Sequence, residues 1–158
     1  RQWAGEGVKI FRAMPNTAIA IRKSITCIAH ENEDASSTEL VSRLFNNLGS
    51  TVIIDEKLMD SATVVGACGI AFVMRFIRAC IQGGIQIGFS AEQASLIVSQ
   101  TVNGAAGLLL ENHSQPEQEI DKVTTPRGCT IAGLNEMEHH GFSSAVIKGL
   151  TASYDKIA

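Results

Sequence analysis

Apolar residues recur along this chain in two distinct rhythms, with the change near residue 57. Val8 to Met14 has strand composition and is stopped by Pro15-Asn16. Ile25 to Ala29 is a second short apolar run of strand type. Ser36-Ser37-Thr38-Glu39 reads as a capping box before Leu40, Val41, Leu44, Phe45 and Leu48, which share one helical face, and Gly49 reads as the residue just past that helix. Thr51 to Asp55 is a third, fully apolar strand. The first 58 residues therefore predict β-β-α-β, with strands apolar enough for a sheet covered by helices. Three strands and one helix make a poor domain alone, so this part reads as the tail of a larger α/β unit.

Beyond Lys57 the strand signals stop and helical spacing takes over. Leu58 to Ile81 is apolar nearly all round, which predicts burial on every side and hence a second subunit. Gly83-Gly84 and Gly88 are expected to end or kink that element. Ser90-Ala91-Glu92-Gln93 is another capping box, opening a helix to about Leu110. Pro116 starts a short acidic helix, and two further helices over roughly 130–140 and 143–156 close the chain.

Composition narrows the partners. Hydrophobic residues make up 45% but aromatics only 5%, so the core is aliphatic. With a net charge of -3 and no Lys/Arg run, nucleic acid and anionic membrane are poor partners. Cys27, Cys68, Cys80 and Cys129 lie far apart with no histidine at ligand spacing, and they read as small buried residues rather than a metal site or disulfide frame. His139-His140 reads as a solvated helix end. The most apolar run, Ala62 to Met74, meets Arg75 and Arg78 and falls short of the about 20 residues that span a bilayer. With no secretory signal visible, the expectation is a soluble, cytoplasmic protein.

The chemistry concentrates in Val123-Thr124-Thr125-Pro126-Arg127-Gly128-Cys129-Thr130, just before a helix. Pro126 fixes φ, and Gly128 allows a turn that other residues resist. The amides of Gly128, Cys129 and Thr130 would lie free at the helix start, where the dipole favours an anion such as a small carboxylate. A plain inter-helix loop with threonine as N-cap is the other reading of the same residues. The 158 residues contain no G-x-G-x-x-G after a strand, no Walker loop, no H-E-x-x-H and no G-x-S-x-G. Asp55, Glu56 and Asp60 sit where acidic helix caps are expected, not as a carboxylate pair for catalysis.

Three segments, in order and spacing, resemble the pyrroline-5-carboxylate reductase family: Arg12-Ala13-Met14-Pro15-Asn16-Thr17, Val52 to Asp60, and Thr124 to Leu134. Gly141-Phe142 followed by Ala145-Val146-Ile147 extends the resemblance over essentially the whole chain. It implies an enzyme that reduces the imine of 1-pyrroline-5-carboxylate to L-proline with NADPH or NADH. The fold implied is an α/β remnant of a dinucleotide-binding domain over 1–58, followed by an all-α dimerisation and substrate-binding domain over 59–158. The family's glycine fingerprint lies upstream of M-P-N-T, so the chain as given is expected to lack activity by itself.

Carried over by position, the resemblance makes Thr125, Gly128, Cys129 and Thr130 the substrate-binding residues, with Thr130 also the catalytic residue, beside the substrate's ring nitrogen. It places Met14, Pro15 and Asn16 at the nicotinamide end of the cofactor, with no metal, a homodimer or higher homo-oligomer as the assembly, and neither nucleic acid nor membrane as partner. Two departures stand out. The family commonly has P-G-G where this chain has Pro126-Arg127-Gly128, so Arg127 is either strained or an added cation beside the carboxylate. The family's S-G-S-G-P-A-Y reads Gly66-Ala67-Cys68-Gly69-Ile70-Ala71-Phe72 here. The alternatives are a non-enzymatic helical dimerisation module and a related hydroxy-acid dehydrogenase-like protein, the latter disfavoured because no lysine follows the pattern such enzymes use for proton transfer.

Overall fold

A computed structural model describes residues 4, 5, 7–31 and 34–157. The chain forms two compact units, one of residues 1–72 with 148–158 and one of residues 73–147.

In the first unit, β1 (Phe11–Met14), β2 (Ser24–His30) and β3 (Gly49–Ile53) form a sheet in that order. β1 pairs antiparallel with β2, placing Met14 opposite Cys27, and β2 pairs parallel with β3, placing Ile28 opposite Ile53. The crossover between the parallel strands is α1 (Ala35–Asn46), as a parallel pair requires. β2 is central and holds the core: Thr26, Ile28 and Ala29 are fully buried, and Ser24 and Cys27 nearly so. Burial pushes the Cys27 thiol pKa up.

Several local expectations change here. The N-cap of α1 is Asp34, whose carboxylate accepts from Ser37 N at 3.3 Å, and Ser36 Oγ donates to the same carboxylate at 3.1 Å rather than capping. Lys9 pairs with Asp34, and its ammonium holds that carboxyl well below the usual carboxylate range. Gly49 does not follow the helix as a cap but opens β3 at φ 145, and a Cβ there would lie 2.0 Å from Ser24 O. Only glycine fits that approach. Thr17–Ile21 forms a 3-10 helix with Asn16 as N-cap.

After β3 the chain becomes helical and stays so from Glu56 to Gln86, through a 3-10 turn, α2 (Met59–Ala62), a π turn over Thr63–Cys68 and α3 (Gly69–Gln86). Asp55 caps its start, accepting from Lys57 N at 3.0 Å. The stretch runs 31 residues and its most apolar 18-residue window has a mean hydropathy of 1.9, which is long and apolar enough to cross a membrane by length and composition alone. Arg75 and Arg78 lie within α3 and do not end it, so the apolar run Ala62 to Met74 is part of a longer helix.

The second unit is built from α3 after Phe72, α4 (Ala91–Asn112), α5 (Pro116–Val123), α6 (Cys129–His139) and the start of α7 (Phe142–Ile157). Gly83 and Gly84 lie inside α3 rather than ending it. A Cβ at Gly84 would sit 3.2 Å from Ala94 Cβ, so glycine lets α4 come close. The Ser90–Gln93 capping box forms with both reciprocal bonds, 3.2 and 3.1 Å. Between residues 73 and 147 only Ala94 is fully buried, while Met74, Ile87, Leu96 and Leu110 are exposed by 59%, 80%, 71% and 75%. The apolar helix is thus not enclosed by its own chain. Nor are all the cysteines buried, for Cys68 and Cys80 are half-buried and Cys129 is exposed.

Candidate functional site

The loop between α5 and α6 is a β-turn. Gly128 N donates to Thr125 O at 2.9 Å, Pro126 occupies the second position, and Arg127 the third at φ 61. A proline followed by a left-handed residue is the type II pattern, which favours glycine in the third place. So the backbone at Arg127 is strained, while its exposed guanidinium still offers the added cation; the two expected alternatives do not exclude each other. Gly128 itself has φ -72 and ψ 162, which any residue adopts, so its expected backbone freedom is not the reason for glycine there. The reason is space: a Cβ would lie 2.6 Å from Thr125 Oγ1 and 3.0 Å from Thr125 O.

The turn decides which groups are left for a ligand. Thr124 Oγ1 donates to Ile120 O at 2.8 Å and closes α5, so that hydroxyl is occupied. Gly128 N is occupied by the turn, which corrects its expected place among the free amides. Gly128 is also the N-cap of α6, with no side-chain bond, so no threonine caps this helix. The amides of Cys129 and Thr130 follow as the first two helical residues, and among the described residues no protein group accepts from either. Thr125 Oγ1 and half-buried Thr130 Oγ1 likewise have no protein hydrogen bond among the described residues. Lys122 pairs with Glu119 at 2.7 Å and holds its carboxyl below the usual range, leaving Arg127 as the exposed cation without an ion pair in this loop. Two amides, two hydroxyls and one guanidinium beside a helix N-terminus suit a small carboxylate.

Met14, Pro15 and Asn16 belong to the first unit and are described there. Met14 ends β1 half-buried, as is Pro15, and Asn16 is buried. Asn16 N donates to Ser24 Oγ at 3.1 Å, its Oδ1 accepts from Ala18 N at 3.1 Å, and its Nδ2 donates to Gly66 O at 3.0 Å. The structure thereby joins M-P-N to the small-residue helix segment that starts at Gly66. Ser24 and the Gly66 carbonyl were not foreseen as partners: the second contact spans 50 residues and uses a backbone group.

A family described as pyrroline-5-carboxylate reductase dimerisation matches residues 56–158. The chain is 53% identical over 96% of its length to pyrroline-5-carboxylate reductase 1 of Dictyostelium discoideum, and 48% identical over 93% to reductase 2 of the same organism. It spans 30% and 54% of those two relatives' lengths. Among solved structures, the reductase of Coxiella burnetii superposes with a TM-score of 0.92 at 28% identity, over 98% of this chain and 58% of that one. The Plasmodium falciparum reductase, solved with NADP bound, gives 0.87 at 29% identity, over 98% and 63%. The loop, the M-P-N segment and the helical region after Asp55 thus belong to one family pattern, and the chain is a member of the pyrroline-5-carboxylate reductase family.

Proposed function

We propose that the chain is the substrate and dimerisation part of an NADPH- or NADH-dependent reductase that converts 1-pyrroline-5-carboxylate to L-proline. The observation that carries this reading is the type II turn, which leaves the Cys129 and Thr130 amides and the Thr130 hydroxyl without a partner among the described residues at the start of α6. The two amides and Thr125 bind the ring carboxylate, with Arg127 adding a cation. Thr130 then lies beside the ring nitrogen and fixes its orientation. A threonine hydroxyl is a poor acid, so Thr130 positions the imine for protonation, directly or through water, rather than acting as a strong general acid.

Nicotinamide supplies the hydride to the C=N carbon when bound. Half-buried Met14 and Pro15 offer an apolar edge to its ring, and the residues fit that end of the cofactor. These 158 residues hold no glycine-rich strand-to-helix turn for the pyrophosphate, so we assign them the nicotinamide end only and expect no turnover from the chain by itself. Functionally the division falls at residues 1–58 and 59–158. The exposed apolar surface of α3 and α4 is closed by a second copy, consistent with the family's dimerisation region over 56–158.

Titration of the isotope-labelled chain with proline, a saturated ring carboxylate, tests the site. Shifts concentrated at the amides of Cys129 and Thr130 are expected. A folded chain whose 125–130 amides do not move at millimolar ligand, while others do, would move the carboxylate site elsewhere.

A further inference from the structure

The M-P-N segment reads as a cofactor contact, yet both ends of the Asn16 carboxamide are engaged within the protein. Oδ1 accepts from Ala18 N and so caps the 3-10 helix, while Nδ2 donates to Gly66 O at 3.0 Å. The backbone is held as well, since Asn16 N donates to Ser24 Oγ, which in turn donates to Ile25 O. The residue as a whole is only 9% exposed.

Its acceptor sits in an unusual place. Gly66 lies in the π turn Thr63–Cys68, at whose end Gly69 N donates to Val64 O, five residues back. A π turn inserts one residue into a helix, is rare, and persists where something outside the helix stabilises it. One extra residue rotates all that follows by about 100° relative to an uninterrupted α-helix. Loss of this turn would therefore swing Gly69 to Phe72 onto a different face. Gly66 also faces the sheet closely, for a Cβ there would lie 3.7 Å from Ile25 Cγ2.

We propose that Asn16 is a positioning residue: its carboxamide ties the exit of β1 to the π turn and so fixes the small-residue stretch Gly66–Gly69 at the nicotinamide end of the site, without itself touching the cofactor. The catalytic half of this statement rests on the reductase reading above, whereas the tie between strand and helix does not.

Two substitutions separate the roles of Asn16. Asn16→Ser keeps an acceptor for Ala18 N but has no donor that reaches Gly66 O. Asn16→Asp keeps the acceptor and sets a carboxylate oxygen against that carbonyl. Amide hydrogen exchange on the 158-residue chain is expected to speed up over residues 66–72 by about fivefold or more in both variants, as loss of one buried hydrogen bond allows. Exchange over 18–22 should hold. Either variant alone decides the point if the other does not fold. Unchanged protection at 66–72 overturns the proposal.

The kinetic arm uses these residues joined to the family's nucleotide-binding segment. There kcat should fall while the KM for NAD(P)H stays near that of the unsubstituted protein. A raised KM for NAD(P)H with kcat retained makes Asn16 a cofactor contact and overturns the positioning role. If the unsubstituted protein does not reduce the imine, the reductase reading fails and the catalytic half with it, while the exchange result still decides the tie between Asn16 and Gly66.

Discussion

Replacing Arg127 with glycine should stabilise this protein while weakening its hold on a carboxylate. Arg127 sits at φ 61 in the third position of the turn, with an exposed side chain that makes no ion pair among the described residues. A left-handed conformation costs an L-residue roughly 1–2 kcal/mol, which glycine avoids. Glycine gives back about 0.5–1 kcal/mol through the greater freedom of the unfolded chain. The difference leaves a net gain of about 0–1.5 kcal/mol, or up to roughly 6 °C in Tm for a chain of this size. Urea and thermal unfolding at fixed protein concentration measure it, since assembly makes apparent stability concentration-dependent. Proline titration of the same variant should show weaker binding, because the one unpaired cation in the loop is gone. Strain held at a binding loop and offset by the ligand gives that pair of opposite changes. A destabilised Arg127→Gly protein, or one that binds proline as tightly as before, would refute the reasoning.

Two further outcomes follow from the same structure. Gly128→Ala should destabilise by about 1–3 kcal/mol, because the new methyl meets Thr125 Oγ1 at 2.6 Å and Thr125 O at 3.0 Å. Adding Thr125→Ala should restore only part of the loss, since the backbone oxygen stays; full restoration in denaturation curves would show the hydroxyl alone to be the obstacle. Stability should also fall in acid. The Asp34, Asp55 and Glu119 carboxyls are held below their ordinary values, chiefly by hydrogen bonds from Lys9, Lys57 and Lys122. Their folded forms bind fewer protons than the unfolded chain, so their contribution is present above the unfolded carboxylate range and is lost as pH falls through the folded values. Tm measured from neutral pH down to about 3 should decline, and less steeply at high salt, as the lysine partners of these carboxyls are exposed. A flat profile contradicts the assignment.

Much of the fold was legible because local signals and tertiary packing agree. The apolar run Ile25 to Ala29 is the buried central strand, and Ser90 with Gln93 forms the capping box that their spacing implies. Where two signals compete, position alone misled. Asp34 rather than Ser36 is the N-cap: its carboxylate accepts from Ser37 N and also gathers Lys9 and the Ser36 hydroxyl. Gly49 is required by the approach of Ser24 on a neighbouring strand, and Gly84 by Ala94 on a neighbouring helix, neither of which periodicity records. The 3-10 helix after Asn16 and the π turn at Thr63 depend on one carboxamide whose partners lie 2 and 50 residues away.

At the loop, proline and glycine announce a turn, but which residue turns left is fixed by the bond from Gly128 N to Thr125 O. The unpartnered Cys129 and Thr130 amides were legible as a helix start. The loss of the Gly128 amide and the Thr124 hydroxyl to the turn itself was not.

The reductase assignment is tested most directly by following NAD(P)H oxidation with 1-pyrroline-5-carboxylate, using these 158 residues joined to the family's nucleotide-binding segment, with Thr130→Ala alongside. The expected result is cofactor oxidation matched by proline formation, with kcat lowered about tenfold in Thr130→Ala, as loss of one positioning hydrogen bond implies. Absence of cofactor oxidation would contradict the activity, and unchanged kinetics in Thr130→Ala would remove that residue from the site.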